Sequence, residues 1–361
     1  REGLGDVRLS GGSRKPRIGA LGTGWIGRDR LRAVAATGLC EIVAICDPCE
    51  DAATETLASH PLAERLDDLQ AMLGSDLDGV MIATPSARHA AEALQCLERG
   101  VAVFCQKPLG RDAEEVRRVL DAARRADLLL GVDHSYRRAR AFEAAAEKVR
   151  SGALGAVHAA ELVFHNVYGP GKPWFLDRAQ SGGGCLIDLG SHLVDMLFHV
   201  LGRREVVQIA AHLSAAGQPL TPETEAVEDF ALAQIVLQGA VAAQLACSWH
   251  SNLGQDAVIR ATFHGTKASV TAENVGGSFY DFRAEQFDST RRDLLFEGTD
   301  DWGGRMAVDW ARTLAAGAGY DAEAEDFARS ARLLDGLYGC HMSASTTGLP
   351  AGDARPAALA R

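Results

Sequence analysis

Long runs of lysine and arginine are missing from this 361-residue chain, whose formal net charge is −11. Nucleic acid and anionic membrane surfaces are held by a basic footprint, so neither is expected as a partner. Apolar runs of membrane-spanning length are also absent. The longest, such as 231–246 with its embedded glutamines, falls short of the roughly 20 residues a span needs. No secretory leader, internal repeat or low-complexity stretch stands out. Paired cysteine motifs are nearly absent too. Cys46 and Cys49 form a lone C-x-x-C match, and with no second pair or nearby histidine neither zinc nor thiol redox chemistry is expected. The eight cysteines otherwise sit among apolar neighbours, as in EIVAIC and VAVFC, and read as small core residues of a protein in a reducing cytoplasm.

What is present is an ordinary globular composition, 47% hydrophobic and 24% charged, in a chain long enough for two domains. Residues 1–14 are Gly-, Ser- and Arg-rich and read as a loose tail. From residue 15, short apolar runs (RIGAL, EIVAIC, GVMIAT, VAVFC, LLLGV) alternate with helical stretches at 25–37, 48–59, 86–99 and 112–126. Uniformly apolar strands alternating with helices predict a doubly wound parallel α/β domain over 15–135. After a helix at 136–149, strand-like segments follow one another at 157–167, 206–214, 230–237, 240–248, 258–263 and 268–272, with turns at 238–239 and 265–266. Residues 136–361 are therefore expected to be an α+β domain with a large open, mostly antiparallel sheet. Helices are predicted at 185–201, 305–316 and 322–343. The segment FALAQIVLQGAVAAQLACSWH has too few alternating polar residues for either sheet face to stand in water. Helices are expected on one face and a second subunit on the other, giving a homodimer or homotetramer.

Gly22, Gly24 and Gly27 follow the first strand and open a helix, the context that lifts G-x-G-x-x-G above a chance match. The three glycines allow a tight turn, close approach to a pyrophosphate and close helix–strand packing, while helix amides, including those of Trp25 and Ile26, face the phosphates. Asp47, twenty positions past Gly27, ends the second strand where a carboxylate accepts ribose hydroxyls. Glu50 and Asp51 beside it would repel a 2′-phosphate, so NAD is expected over NADP. Thr84 and Pro85 end the GVMIAT strand in the ligand crevice, where cofactor contact competes with a helix start capped by Ser86; His89, one turn further on, is a cofactor candidate for which a solvated or packed role is the commoner reading. Lys107 leaves VAVFCQKPLG at the same edge, pointing toward the nicotinamide end.

A second stretch, GGGCLIDLGSHLVD (182–195), places Asp188, His192 and Asp195 on one helical stripe. With IGALGTGWIG, ATPSARHAAEAL, CQKPL, RSGALGAV and DFARSARLLDGLY, it resembles the glucose–fructose oxidoreductase / inositol dehydrogenase / rhizopine-catabolism (Gfo/Idh/MocA) family over nearly the whole ordered length. The resemblance implies an amino-terminal Rossmann domain, a carboxy-terminal domain with an open sheet, and nicotinamide-dependent oxidation or reduction of sugars and polyols. It implies that Lys107 touches the reacting oxygen, that Asp188 and His192 hold the substrate, and that His192 is the acid/base group. The chain departs from the family at Gln106, where a glutamate is usual, which removes charge support from Lys107.

The chemistry points the same way. Oxidising a secondary alcohol needs a base that takes the proton beside a cation that holds the oxygen, and His192 with Lys107 supply both. Asp195 could orient the His192 ring, or be a surface charge. The Asp188/His192/Asp195/His199 stripe could also be read as a metal site, but hydride transfer needs no metal and none is expected. Tyr168 and His250, with Lys172, Trp174 and Trp249 nearby, are candidates for the substrate pocket wall. Two other functions fit the same residues: an NAD-dependent glycosidase working by transient oxidation, which releases sugar without accumulating NADH, and a non-catalytic NAD-binding regulator.

Overall fold

The structure, a computed structural model, describes residues 14–343; all but the last residue of the expected tail, and everything beyond 343, lie outside the described residues. Six strands form a parallel sheet: β1 (Arg17–Leu21), β2 (Glu41–Cys46), β3 (Glu64–Arg65), β4 (Gly79–Ile82), β5 (Ala102–Cys105) and β6 (Leu130–Val132), in the order β3-β2-β1-β4-β5-β6. Five helices connect them: α1 (Trp25–Ala36), α2 (Glu50–Ser59), α3 (Leu69–Leu73), α4 (Ser86–Glu98) and α5 (Ala113–Ala126). Every residue of β4 and β5 is buried, as helices on both faces require. The strand order reverses between β1 and β4, which opens a crevice at their carboxyl ends. β3 has no counterpart in the sequence reading, because two exposed polar residues carry no apolar signal.

The second domain begins with a short 3₁₀ turn (Ser135–Arg138) and α6 (Arg140–Arg150), where the sequence predicts one continuous helix. Nine strands follow: β7 (Val157–Asn166), β8 (Val206–Ala215), β9 (Gln218–Pro219), β10 (Phe230–Leu237), β11 (Val241–Ser248), β12 (Ala257–Gly265), β13 (Ser269–Asn274), β14 (Asp281–Asp288) and β15 (Arg291–Thr299). They form one sheet in the order β15-β14-β13-β12-β7-β11-β10-β8-β9. It is antiparallel except where β7 lies parallel to β11. The long β7–β8 connection holds α7 (Arg178–Ser181), a π-helical turn (Leu186–Gly190) and α8 (Ser191–Leu201). Residues Arg178–Leu201 are long and apolar enough to cross a membrane, but most of that stretch is buried inside the fold. Both expected hairpin turns form. The β14–β15 hairpin is unforeseen: β14 alternates only briefly, at buried Phe282 and Ala284, and β15 has no buried residue to signal it.

The last two helices, α9 (Arg305–Ala315) and α10 (Glu325–Ser343), correct the expected division at 135/136. α9 packs on the first domain. Ala307, Trp310 and Ala311 join Ile18, Leu31, Ile45 and Phe104 in one buried cluster. Phe327, Ala328 and Ala331 of α10 join the cluster on the other face of the parallel sheet, while Leu333, Leu334 and Leu337 pack into the second domain. The chain's end therefore ties the two domains together. Trp310, 4% exposed, lies over Gly79 and Gly131 and against Phe104 with ring centroids 5.8 Å apart. Trp310→Ala removes a buried ring that glycines cannot collapse to fill, and should cost about 3–5 kcal/mol of unfolding free energy in urea titration.

Candidate active site

The first glycine turn is shaped by close approach. Gly22 takes φ +84°, and a Cβ there would stand 2.6 Å from the Ala83 carbonyl oxygen; one on Gly27 would stand 2.3 Å from the Gly22 oxygen. At Gly24 a Cβ would meet nothing within 4 Å, so the backbone there borders open space. α1 starts at Trp25 with no side-chain cap and no acidic residue in its first turn. Its leading amides are thus left to an anion, and the cradle fits a dinucleotide's pyrophosphate. Trp25 is 63% exposed and Ile26 partly so. Asp47 accepts from the Thr23 amide at 2.6 Å and, through its other oxygen, from the Cys49 amide at 2.8 Å, tying the end of β2 to the glycine turn. A carboxylate has further lone pairs for ribose hydroxyls. An arginine remote in the local sequence does reach this edge in three dimensions. β3 pairs with β2 and brings Arg65 within 3.6 Å of Glu50.

Three expectations at β4 and α4 change. Pro85, not Ser86, is the N-cap of α4, and Ser86 is buried as its first residue. Thr84 donates its hydroxyl to Glu92 at 2.5 Å. His89 is corrected from cofactor contact to internal clamp. It is 2% exposed, and its ring nitrogens lie 2.7 Å from the Pro108 carbonyl oxygen and 2.6 Å from that of Thr84. Neither ring nitrogen is left for a cofactor.

Lys107 crosses to the second domain. Its Nζ donates to the Asp188 carbonyl at 2.7 Å and to Asp188 Oδ1 at 2.7 Å, with the two side chains only 15% and 17% exposed. Asp188 Oδ2 accepts from Trp249 Nε1 at 3.1 Å, so the end of β11 holds the carboxylate from its other side. The charge partner that Gln106 does not supply is therefore Asp188. The glycine run before it is built for contact: a Cβ on Gly184 would lie 1.9 Å from the Glu228 carbonyl oxygen. Buried Glu228 Oε1 accepts from the amides of Gly184 and Leu186 and from the Tyr338 hydroxyl. Burial pushes the Glu228 carboxyl above its ordinary range.

Asp188 sits in the π-helical turn, not in a regular α-helix as the sequence predicts, and α8 begins just before His192. π-turns of this kind cluster at functional sites because the widened ladder re-aims its side chains and carbonyls. His192 is partly exposed, its Nδ1 is buried without a hydrogen-bond partner, and its ring lies edge-on to Tyr136 with centroids 5.0 Å apart. Burial first, then the charges of Lys107, His134 and Arg30, hold its pKa well below the usual imidazole range. His192 is thus a neutral imidazole in the field of the lysine.

Asp195 neither orients His192 nor lies on the surface. It is 2% exposed and pairs with Arg137 through Nε at 2.7 Å. Although burial opposes ionisation, Arg137 keeps its carboxyl below the ordinary value. His199 lies at the far end of α8, 3.5 Å from Arg150, so the stripe does not converge. Among the described residues no group of three or more His, Cys, Asp or Glu is arranged to hold a metal ion. Cys46 is buried and Cys49 exposed, and both are free.

At the rim, Tyr168 is 62% exposed and donates to Asp256 Oδ1 at 2.6 Å. His250 is exposed, and its ring covers Gly169. The loop reaches the site by another route: Trp174 stacks on Phe175, and Phe175 meets the edge of Trp249. Tyr136 and Trp302, which stacks on Tyr136 at 4.6 Å, were not singled out as site residues by the sequence alone, since their roles depend on chain segments far apart.

Comparison with known proteins agrees in both domains. Residues 16–134 match the model of the oxidoreductase family with NAD-binding Rossmann fold, and residues 142–271 match the GFO/IDH/MocA C-terminal domain. The chain is 29% identical over 264 residues to 1,5-anhydro-D-fructose reductase of Ensifer adhaerens, covering 72% of this chain and 76% of that protein. It is 30% identical over 261 residues to inositol 2-dehydrogenase of Rhizobium meliloti (strain 1021), covering 72% and 76%. The fold is that of GenD2 from gentamicin A biosynthesis, solved in complex with NAD, with a TM-score of 0.78 over 94% of this chain and 98% of that one at 23% identity. The glycine cradle, the crossing lysine and the Asp188–His192 segment thus lie within matched regions, and the chain belongs to the Gfo/Idh/MocA family of NAD-binding oxidoreductases.

Proposed function

We propose that this oxidoreductase exchanges a hydride between NAD and a secondary alcohol or ketone of a sugar, inositol or related polyol, with Lys107, Asp188 and His192 as its working residues. The observation that carries the reading is the Lys107–Asp188 pair beside a partly exposed, neutral His192. Bound at the glycine turn, NAD would supply the hydride acceptor. Gly22, Gly24 and Gly27, the amides of Trp25 and Ile26, and Asp47 would hold it. Lys107 donates hydrogen bonds to the substrate oxygen and stabilises negative charge there as the proton leaves. His192 accepts that proton, and in the reverse direction returns it. Asp188 anchors neighbouring hydroxyls while keeping the lysine amine in place. Tyr168 and His250 form the rim that would meet the rest of the substrate.

NAD is favoured over NADP because Glu50 and Asp51 would repel a 2′-phosphate, and Arg65 at this edge already faces Glu50. A reducing cytoplasm suits a chain whose eight cysteines are all free. The second copy expected on the open sheet face has its surface ready. Along β10, Phe230 and Gln234 are exposed and Leu232 and Val236 partly so, with Ala242 and Gln244 exposed beside them on β11.

Three outcomes follow. Lys107→Met and His192→Asn should each lower kcat/KM on a responsive polyol by about 10²–10⁴-fold while NAD affinity by fluorescence titration changes little; equal loss of NAD binding would contradict the roles. Because burial and nearby cations keep His192 neutral below the ordinary imidazole pKa, its base form persists as pH falls through about 6.5. The acid limb of kcat for alcohol oxidation should therefore lie well below that pH, and a limb centred there would exclude His192 as the base. In sedimentation velocity at micromolar concentration the protein should run as a dimer or tetramer, and a monomer would remove the proposed interface.

A further inference from the structure

Gln106 precedes the reactive lysine, and its side chain does not face the substrate. Its Nε2 donates to Asp133 Oδ2 at 2.5 Å. Asp133 is 1% exposed and has several other donors. The same Oδ2 accepts from Arg30 Nε at 2.7 Å, and Oδ1 accepts from the Ser135 hydroxyl at 2.6 Å. Arg30, itself 5% exposed, donates also to Ser135 Oγ at 3.1 Å and to Asp29 Oδ2 at 2.7 Å. The burial penalty on Arg30 is overcome by its carboxylate partners.

Each member belongs to a different part of the machinery. Arg30 is on α1, one turn past Gly27 of the cofactor turn. Gln106 is joined to Lys107, and both it and Arg30 line the same small void as Gly22 and Gly27. Asp133 ends β6 and is followed by His134 and Tyr136, whose rings lie 6.3 and 5.0 Å from that of His192. A single buried carboxylate thus joins the cofactor helix, the lysine segment and the backing of the histidine.

We infer that Asp133 is the positioning residue that sets Lys107 against the cofactor turn, and that the side chain before the lysine must be a hydrogen-bond donor because the carboxylate of this pair resides on Asp133. The inference rests on the proposed role of Lys107 at the reacting oxygen. It runs against the simplest expectation from the motif, that a carboxylate immediately before the lysine would strengthen the site. Here Gln106→Glu would put a second carboxylate in hydrogen-bond contact with Asp133, where one cation, Arg30, already serves Asp29 and Asp133. Two like charges at that distance do not both stay ionised, and one takes up a proton. The charged groups around Gln106 are Arg30 and Asp29 from α1, Lys107 beside it, and Asp133 with neutral His134 from the end of β6.

The test is a charge exchange read in the NAD-loaded full chain, with kcat, KM and thermal melting measured for Gln106→Glu, Asp133→Asn and the double variant. Each single substitution should lower kcat by about tenfold or more with substrate KM little changed. The melting deficit of Gln106→Glu should shrink as pH falls from about 8 to about 5, because the raised carboxyl pKa in the folded state makes the shared proton easier to bind at low pH. The double variant, which exchanges the carboxylate and the amide between the two positions, should recover most of the kcat lost by either single. A double variant no better than the worse single, or a Gln106→Glu enzyme as active as the parent, would overturn the inference. If no polyol is turned over by the parent enzyme, the function proposed above fails, while the pH dependence of the Gln106→Glu melt still decides whether Asp133 holds the local carboxylate.

Discussion

The ion pair between Lys107 and Asp188 is the contact on which the two halves of the site depend. A lysine on four rotatable bonds at a strand end would otherwise be mobile and hydrated. Here its amine is fixed at 2.7 Å by both the carbonyl and the carboxylate of a residue from the other domain. Trp249 holds that carboxylate from behind, so the amine inherits the rigidity of β11. The pair is nearly but not fully buried, which suits a group that must trade part of its bonding for a substrate hydroxyl. Fully buried, it would be held too firmly to exchange. Fully exposed, it would contribute little order.

Around this pair lie charges that no local pattern leads one to expect inside a protein: Arg30 with Asp133, Arg137 with Asp195, and Glu228 beneath the glycine run. Burying such groups is costly, and removing one partner typically costs about 3–5 kcal/mol. Their placement accounts for that cost. Each joins segments remote in sequence that must meet within tenths of an ångström for the lysine, the imidazole and the cofactor turn to be aligned. The same fields set the chemistry. Desolvation first, then the charges of Lys107 and Arg30, keeps His192 neutral, so the pairs that organise the site also tune this candidate base.

Most of the fold is legible in the sequence, because its signals are local. Uniform apolar runs alternating with helices specify the parallel sheet, and the glycine turn gains its meaning from the strand before it and the helix after it. The candidates Lys107, Asp188 and His192 stand out in the sequence for the same reason: each lies at a strand end or in a stretch whose polar stripe does not fit a core. What escapes is set by pairing across the chain. Asp195 looks like a candidate to orient His192 until Arg137, 58 residues away, claims it. His89 looks available until two backbone carbonyls close on its ring. α9 looks like the end of the second domain, yet Trp310 fits only over the glycines of the first. β15 has no buried residue and β14 only the short Phe282/Ala284 alternation, so periodicity says little about this hairpin.

The separation between base and rim also bears on how such a site could change substrates without losing its reaction. Lys107, Asp188 and His192 are anchored by core strands, the ion pair between the two domains and the π-turn, so their positions are set by the fold. The residues above them are held differently. Tyr168 is fixed by one exposed hydrogen bond to Asp256, and His250 by its position over Gly169. Phe175, against Trp249, links that loop to the floor of the site. A rim loop held mainly by exposed contacts can be remodelled at little cost to the charged residues beneath it, because loops on a rigid scaffold tolerate change better than the core that positions them.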